Sequence, residues 1–316
     1  MFESIVSKIE QYDSIVIFGH INPDGDCYGS QIALRGILRN KYPNKKIYAV
    51  GSGLKKFFGI LGKMDVVSDD IITQSLGVVL DSNDINRLED KRAITAKDFV
   101  KIDHHIDTFT FHEGPEVIDT SATSTCELIY RFAKENNFEI DLISASALYL
   151  GIMTDTGRFQ FADNFVRMFD LASDLCSLGV DPVLLNKVNN LVPEITLTMK
   201  SFIYSHVVKD SNGIIYVIVT KEDRKKMGVT SAQIVGNTSL ISYVNNYPIW
   251  LIISETDTNG MQVEMRSSMF DVQKIAVQFG GGGHSFAAGF TIKEFSEETI
   301  QELLRLCAET IKKGAL

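Results

Sequence analysis

Cysteine is scarce in this sequence, and long hydrophobic runs are absent from it. The four cysteines are scattered and form no C-x-x-C pair: Cys27, Cys126, Cys176 and Cys307. This pattern excludes a disulfide framework and a structural zinc site, and it indicates reduced thiols in the cytoplasm. No apolar run approaches the length of a membrane span, and the first residues lack the apolar core of a secretory signal. We therefore expect a cytoplasmic protein without a membrane partner.

Basic residues are too few for a protein that binds long nucleic acids. The chain of 316 residues has 31 Lys and Arg against 40 Asp and Glu, which gives a net charge of −9. The whole acidic excess lies in residues 1–199. Long duplexes are bound through basic surfaces, so any nucleic-acid substrate should be short. We expect part of the acidic excess to ligate metal ions, whose charge would offset it.

Strand-like and helix-like segments alternate along the first part of the chain. Strands are predicted at 15–18, 47–50, 77–80, 99–102 and 116–119, and helices at 29–40, 123–137, 143–154, 165–178 and 182–190. Such alternation implies βαβ units and a mostly parallel sheet. The pattern restarts after a helical stretch, with strands at 214–220, 248–255 and 261–267 and helices at 271–279 and 296–313. The predicted fold class is α/β: a mostly parallel N-terminal domain at 1–190, a linker helix at 191–210, and a smaller α+β domain at 211–316.

A histidine and two aspartates directly follow the first predicted strand, in the segment His20-x-x-x-Asp24-x-Asp26. They lie at the carboxyl end of that strand, where open α/β sheets bind their ligands. Carboxylates crowded on one loop repel each other unless a cation neutralises them, and this ligand set suits Mn²⁺ or Mg²⁺. Taken alone, the segment is equally compatible with a polar turn formed by Pro23 and Gly25.

Aspartates also follow three later elements, at Asp81, Asp103 and Asp155, and Asp103 is followed by His104 and His105. One aspartate after a strand is usually a helix cap or a turn residue, so Asp81 or Asp155 alone would be structural. Parallel strands, however, end at the same edge of a sheet, so we expect these side chains to meet the first loop. Together they supply about the number of ligands that two metal ions need.

The order and context of these residues resemble the four motifs of the DHH phosphoesterase superfamily: His20-x-x-x-Asp24-x-Asp26, Asp81, Asp103-His104-His105 and Asp155. The segment from Gly280 to His284, with Ala287-Ala288-Gly289 after it, resembles the signature of the accessory DHHA1 domain. The resemblance covers nearly the whole chain, and the five elements together are specific. It points to the nanoRNase subgroup, also called oligoribonuclease and pAp phosphatase. It implies a phosphohydrolase with two Mn²⁺ ions, for which Mg²⁺ or Co²⁺ could substitute.

The resemblance also implies a role for each ligand. His20 and Asp24 would bind one metal ion, Asp26, His104 and Asp155 would bind the second, and Asp81 would bridge the two. His105 would face the substrate phosphate as a charge stabiliser or a proton donor. Asp103 would either orient a histidine or serve only as a turn residue.

Arginines and glycines supply the remaining candidates. Arg158 is expected to contact the reacting phosphate, with a surface ion pair as its rival role. Arg87 fits an arginine that is common in the family, whereas Asn83 stands where many members have a small residue, which affects the expected shape of the substrate pocket. In the second domain the candidates that would grip the base, ribose or far phosphate are Arg266, Gly281, Gly282, Gly283 and His284.

Several residues are expected to have structural roles only. Ser124, with Glu127 three residues later, is expected to cap a helix, and phosphate binding at that helix end is less favoured. Packing is expected for Cys27 and Trp250, with base stacking as the alternative for Trp250, and surface positions are expected for His112 and His206.

The sequence therefore predicts hydrolysis of phosphate esters in very short oligoribonucleotides and in 3′-phosphoadenosine 5′-phosphate (pAp). Hydrolysis of cyclic di-AMP or pApA is the nearest alternative, and a nucleotide-binding protein without catalytic activity is the alternative from another class. An inorganic pyrophosphatase is disfavoured because the glycine–histidine motif implies a nucleotide-sized ligand. The expected partners are small nucleotides rather than long duplexes, and the sequence is compatible with a homodimer.

Overall fold

The computed structural model describes residues 1–105, 114–161 and 164–314. The chain divides into two compact units, Met1–Leu191 and Val192–Leu316. The predicted fold class is confirmed, because the first unit has a wholly parallel sheet and the second a mixed one. In the described part of the chain, no helix is both long enough and apolar enough to cross a membrane. His112, predicted at the surface, lies outside the described residues.

Five parallel strands form the sheet of the first unit: β1 (Ser14–Phe18), β2 (Lys46–Ala49), β3 (Leu76–Leu80), β4 (Asp98–Asp103) and β5 (Glu116–Ile118). Their spatial order is β2-β1-β3-β4-β5. The chain therefore places β2 on one side of β1 and all later strands on the other, so the strand order reverses between β1 and β3. Open α/β sheets bind ligands at this reversal, outside the carboxyl ends of the strands. His20 and Asp81 follow directly after these two strands.

The described helices of the first unit lie on both faces of this sheet. They are α1 (Glu3–Glu10), α2 (Gly25–Lys41), α3 (Asp69–Gln74), α4 (Thr125–Glu135), α5 (Leu142–Asp155), α6 (Phe165–Ser177) and α7 (Pro182–Asn189). Ile15 and Ile17 join the core formed with α1, α2, α4 and α5, whereas Val16 and Phe18 join a smaller cluster with Ile72 of α3. Burial on both faces explains the continuous apolar runs of these strands. Truncating one such side chain to alanine would cost about 2–5 kcal/mol, so the strands that carry the candidate site are firmly held.

Helix α2 begins at Gly25, earlier than the predicted start at 29. The Asp24 carboxylate caps it by accepting hydrogen bonds from the backbone N–H groups of Asp26 and Cys27, each at 3.0 Å. Asp26 therefore lies in the first turn of a helix and Asp24 caps it, whereas His20 lies in the segment between β1 and this helix. A Cβ atom at Gly25 would lie 2.2 Å from Oγ1 of Thr154, so this glycine lets the start of α2 approach the end of α5.

Six strands form the sheet of the second unit: β6 (Val208–Lys209), β7 (Ile214–Val219), β8 (Ile249–Glu255), β9 (Met261–Ser267), β10 (Gly282–His284) and β11 (Ala287–Ile292). Their spatial order is β10-β11-β9-β8-β7-β6. The described helices are α8 (Ile195–Ser205), α9 (Lys221–Met227), α10 (Ser231–Val235), α11 (Gln273–Gln278) and α12 (Glu297–Lys313). The segment 191–210, expected to be a linker helix, contains α8, whose Met199 and Ile203 pack into the core of the second unit. Its last residues form β6 and pair with β7.

The two faces of the second sheet are covered unequally. One face, with Leu251, Val263 and Met265, packs against α11 and α12. The other face packs against α8, α9 and α10 where β7 and β8 present Ile215 and Trp250. Further along, where β9, β11 and β10 follow, this second face carries polar and very small side chains that are partly exposed: Gln262, Glu264, Arg266, Ala287, Gly289 and Gly282. This partly exposed area is called the open face below.

Candidate metal centre

The carboxyl ends of β1, β3 and β4 bring His20, Asp81 and His104 together. Nε2 of His20 lies 3.3 Å from Oδ2 of Asp81, and Nε2 of His104 lies 3.6 Å from Oδ1 of Asp81. The Asp81 carboxylate is buried, and its two oxygens face different histidines. Each oxygen carries its own lone pairs, so the two oxygens can bind different partners.

Asp81 has an unusual backbone conformation and a stabilised charge. Its φ of 55° lies in the left-handed region, which aspartate tolerates better than most residues and which recurs at functional sites. Burial alone would raise the pKa of the Asp81 carboxyl. The contact with His20 and the charges of His105 and His104 outweigh burial and hold this pKa below its usual range.

Asp26, His104 and Asp155 form a second group beside Asp81. Nε2 of His104 lies 3.2 Å from Oδ2 of Asp155 and 3.9 Å from Oδ2 of Asp26. Burial, followed by the charges of Asp81 and Asp155, raises the pKa of Asp26 well above its usual range. Burial would lower the pKa of His104, but the contact with Asp155 and the charge of Asp26 raise it to about 10. Three carboxylates around one imidazole thus form a negative site that a proton or a cation must neutralise.

The N-terminus of α4 holds two of these carboxylates through Thr125. The backbone N–H groups of Thr125 and Cys126 donate to Oδ2 and Oδ1 of Asp26 at 2.7 Å and 2.8 Å. Oγ1 of Thr125 donates to Oδ1 of Asp81 at 3.1 Å. Sequence reasoning missed Thr125, because its partners are distant in the sequence and no local pattern marks them. The predicted cap is confirmed, since the Ser124 side chain accepts from the backbone N–H of Glu127 at 3.1 Å.

Asp24 and Cys27 lie at the edge of the group around His20. Oδ1 of Asp24 lies 3.9 Å from Nε2 of His20, and the Asp24 side chain is exposed. Sγ of Cys27 accepts from the backbone N–H of His20 at 3.3 Å, and burial raises the pKa of the Cys27 thiol well above its usual range. A buried thiol that stays protonated is a poor ligand, so the predicted packing role of Cys27 agrees with the structure.

Asp103 orients His105. Oδ1 of Asp103 accepts hydrogen bonds from the backbone N–H of His105 at 3.1 Å and from its ring Nδ1 at 2.8 Å. Oδ2 of Asp103 lies 3.6 Å from Nζ of the buried Lys101. The first of the two expected roles of Asp103, orienting a histidine, fits this geometry. With Nδ1 held by Asp103, Nε2 of His105 is the ring nitrogen that can meet a substrate.

The side chains of this cluster fit a divalent cation. Three groups of described side chains bring potential ligand atoms within 4.8 Å of one another: His20, Cys27 and Asp81; Asp81, His104 and His105; Asp26, His104 and Asp155. Nε2 of His104 is buried and faces no acceptor in good hydrogen-bond geometry among the described residues, although three carboxylates surround it. Carboxylate oxygens and imidazole nitrogens suit Mn²⁺ and Mg²⁺ better than metals that prefer thiolates.

Two exposed arginines flank segments of this cluster. Arg87 ends a short 3₁₀-helix, Ile85–Arg87, and its backbone carbonyl accepts from the N–H of Ile21 at 2.6 Å, next to His20. Arg158 follows α5 closely after Asp155 and lies among three consecutive residues with left-handed φ, from Gly157 to Phe159. Its guanidinium donates to Oδ1 of Asn190 and pairs with no carboxylate among the described residues.

The candidate residues of the second unit separate into two sets. Arg266 of β9 lies opposite Ala287 of β11, and Ala287 lies opposite His284 of β10. Residues that lie opposite each other point to the same side of the sheet, so Arg266 and His284 share the open face. Gly282 also belongs to this face, and a Cβ atom there would meet nothing within 4 Å. Gly281 and Gly283 have a structural reason to be glycine. A Cβ atom at Gly281 would lie 2.2 Å from the carbonyl oxygen of Gly289, and one at Gly283 would lie 2.4 Å from that of Ala287.

Comparison with known proteins agrees with the division of the chain into two compact units. Residues 14–152 match the N-terminal domain of the DHH family, and residues 211–313 match the DHHA1 domain. The bifunctional oligoribonuclease and PAP phosphatase NrnA of Mycoplasma genitalium is 30% identical over 97% of this chain and 96% of its own length. The protein of the same name from Bacillus subtilis is 30% identical over 98% of this chain and 99% of its own. A solved structure of an exopolyphosphatase-related protein from Bacteroides fragilis has the same fold, with a TM-score of 0.85, 24% identity, and coverage of 98% of this chain and 95% of its own.

Proposed function

Because this chain belongs to the DHH family and carries a DHHA1 domain, we propose that it is a metal-dependent hydrolase of phosphoester bonds. Its proposed substrates are very short oligoribonucleotides and pAp, as the names of its relatives suggest. The observation that carries the proposal is the two-sided environment of Asp81, with His20 at one carboxylate oxygen and His104 and His105 at the other.

The proposed cofactor is a pair of Mn²⁺ ions, for which Mg²⁺ or Co²⁺ could substitute. His20 and Asp24 would hold one ion, Asp26, His104 and Asp155 the other, and Asp81 both. Such a pair supplies hydroxide near neutral pH and neutralises charge that develops on the phosphoryl oxygens. The ligand atoms within 4.8 Å of one another support this assignment for every member except Asp24, whose contact with His20 is longer than that of Asp81.

His105 and Arg158 would act on the substrate phosphate directly. The Asp103 carboxylate accepts from Nδ1 of His105 and orients the ring, so Nε2 could meet a phosphate oxygen as a hydrogen-bond or proton donor. The exposed guanidiniums of Arg158 and Arg87 could pair with phosphate oxygens. Among the described residues, neither arginine pairs with a carboxylate, so binding a phosphate would break no such ion pair.

The second unit would bind the part of the substrate that does not react. Arg266, Gly282 and His284 share its open face and are the proposed contacts, together with the backbone of Gly281 and Gly283. The acidic balance of the chain supports small nucleotides rather than long duplexes as partners. The four cysteines are free thiols, which supports the expected cytoplasmic location.

Hydrolysis of pAp and of the dinucleotide ApA by the purified chain, first stripped of metal with a chelator and then supplied with Mn²⁺, tests this function. The expected products are inorganic phosphate from pAp and mononucleotide from ApA, each dependent on added metal. Asp81→Asn should abolish both reactions, because an amide cannot bridge two cations. Asp70→Asn removes an exposed carboxylate of α3 and serves as the matched control with unchanged activity.

Three results bear on the alternatives. Turnover of cyclic di-AMP in preference to both substrates would replace the proposed substrate class while keeping the metal centre. Binding of nucleotides without hydrolysis of any of them would favour the binding protein and overturn the enzyme. Full activity in Asp81→Asn would overturn the proposed site.

A further inference from the structure

The start of α4 holds two of the proposed metal ligands in place. Two backbone N–H groups of its first turn bind the Asp26 carboxylate, and the Thr125 hydroxyl binds Asp81. A displacement of this helix start would therefore move both carboxylates together. Groups that fix the start of α4 bear on the metal centre even when they do not touch it.

Glu127 fixes the start of α4 from a buried position. Its side chain is 2% exposed. Its Oε2 accepts hydrogen bonds from the backbone N–H and the hydroxyl of Thr123, at 2.8 Å and 2.9 Å. These bonds hold the chain two residues before Thr125. A carboxylate at this depth is costly to bury unless a cation pairs with it.

Arg167 of α6 supplies that cation. Its Nε lies 3.1 Å from Oε1 of Glu127, and its Nη2 donates to the carbonyl oxygen of Ser121 at 2.6 Å. One guanidinium thus joins the first turn of α6 to two points around the start of α4. Arg131 lies further from Oε1 of Glu127, at 4.0 Å, and donates to Asp119 at 2.8 Å. Among the described residues, Arg167 is therefore the nearest cation to Glu127.

Loss of the Arg167 guanidinium would leave the Glu127 carboxylate buried without this cation. Removal of one partner from a buried pair is strongly unfavourable, so the carboxylate should move toward water. It would then release Thr123 and loosen the first turn of α4, which holds Asp26 and Asp81. Loss of a group that orients metal ligands lowers metal affinity about 10- to 100-fold.

We infer that Arg167 is a positioning residue for the metal centre, and that it acts through Glu127 and the start of α4. The inference rests on the proposed function, because it concerns the ligands of the same proposed ions. It makes metal binding depend on α6, a helix that carries none of the proposed ligands.

Equilibrium dialysis against Mn²⁺, after removal of metal with a chelator, tests this dependence without reference to turnover. Arg167→Met removes the charge and keeps much of the side-chain length. Mn²⁺ affinity should fall about tenfold, the lower end of the range for groups that orient ligands. Arg167→Lys keeps a charge beside Glu127 and should restore most of this loss. Glu127→Gln keeps an acceptor for Thr123 but loses the ion pair, so its affinity should fall as in Arg167→Met.

Lys134→Met is the matched control. Lys134 of α4 pairs with Asp174 of α6 at 2.9 Å, so this variant also breaks an ion pair between the same two helices. It makes the same change in net charge as Arg167→Met, and both pairs line one groove of about 580 Å³. Lys134 lies in the last turn of α4, away from the helix start, so Mn²⁺ affinity should be unchanged.

A double variant, Glu127→Gln with Arg167→Met, tests whether Arg167 acts through Glu127. Its loss of affinity should equal that of either single variant, because both changes break the same pair. Full addition of the two losses, wild-type affinity in Arg167→Met, or an equal loss in Lys134→Met overturns the inference.

The remaining outcomes separate this inference from the function on which it rests. Failure of the wild type to bind Mn²⁺ overturns the proposed function itself. Thermal melting of the metal-free variants checks that each is folded. If Arg167→Met does not fold, Glu127→Gln takes its place in the comparison with Lys134→Met, and wild-type affinity there overturns the role of the pair.

Discussion

Replacing Thr125 by valine should weaken the candidate metal centre without unfolding the protein. Valine keeps the volume and shape of threonine and keeps the backbone N–H that holds Asp26. It removes the hydroxyl that donates to Oδ1 of Asp81 at 3.1 Å. Both groups are buried, with Thr125 at 0% and Asp81 at 3% exposure, so water cannot replace this hydrogen bond.

The size of the effect follows from the kind of hydrogen bond that is lost. A hydrogen bond to a charged acceptor contributes about 1.5–3 kcal/mol. Without it, the Asp81 carboxylate loses one of the groups that fix its orientation, although its contacts with His20 and His104 remain. Loss of a group that orients a metal ligand lowers metal affinity about 10- to 100-fold. We expect this loss for Mn²⁺ in Thr125→Val, whereas Thr125→Ser, which keeps the hydroxyl, should bind within about threefold of the wild type on the same reasoning.

Titration with Mn²⁺, with free ion followed by electron paramagnetic resonance, measures this affinity without reference to turnover. A bridged pair of Mn²⁺ ions also gives a coupled spectrum, which should persist in Thr125→Ser and change in Thr125→Val. Ser124→Ala is the control for helix capping. It should lower the free energy of unfolding by about 1 kcal/mol and leave metal affinity unchanged. Equal Mn²⁺ affinity and an unchanged spectrum in Thr125→Val would refute the positioning role of this hydroxyl.

Two further predictions concern pH and the glycine-rich segment. The pKa of His104 is raised from 6.5 to about 10, so the imidazole is protonated at neutral pH and must lose its proton to bind a metal ion. Mn²⁺ affinity should therefore rise with pH up to about 10, by up to about tenfold per pH unit for one displaced proton. Calorimetry in two buffers should detect the proton release, and affinity independent of pH would contradict this prediction. In the second unit, Gly281→Ala should destabilise the fold, by about 1–3 kcal/mol, because its Cβ would meet the backbone of Gly289. Gly282→Ala, which meets open space, should melt like the wild type while weakening substrate binding, and equal melting temperatures for the two variants would disprove the structural distinction.

The general position of the site could be predicted because parallel strands share an edge. Asp81 and His104 each come at or just after the end of a buried apolar run, and adjacent strands then bring them together. The same reasoning assigned His20, which follows β1, and Asp155, at the end of α5, to this cluster. Asp103 could be given two roles from the sequence, and the choice between them needed the distance to His105.

The remaining features depend on contacts that leave no local pattern. The hydroxyl of Thr125 meets Asp81 across the fold, whereas its neighbours Ser124 and Glu127 form the local cap that the sequence does reveal. Helix α2 begins four residues before its predicted start because the Asp24 carboxylate caps it, a contact that the apolar pattern of residues 29–40 does not show. Glu264 and Arg266 can form an ion pair because residues two apart on β9 lie on the same face of the sheet. The space that the Glu264 carboxylate fills depends on Gly289 of β11, a different strand.

The reversal of strand order between β1 and β3 also has a consequence for how the first unit folds. The clustered side chains come from positions as far apart in the sequence as His20 and Asp155, so they meet only after the central parallel strands have paired. Pairing of distant parallel strands is slow, because long loops must close before any contact rewards them. A cation held by these side chains would act as a cross-link across most of the first unit, binding the folded chain and not the unfolded one. At a free concentration 100 times its dissociation constant, it would add about 2.7 kcal/mol to the stability of that unit. The same ion would therefore stabilise the first unit only after its central strands had paired.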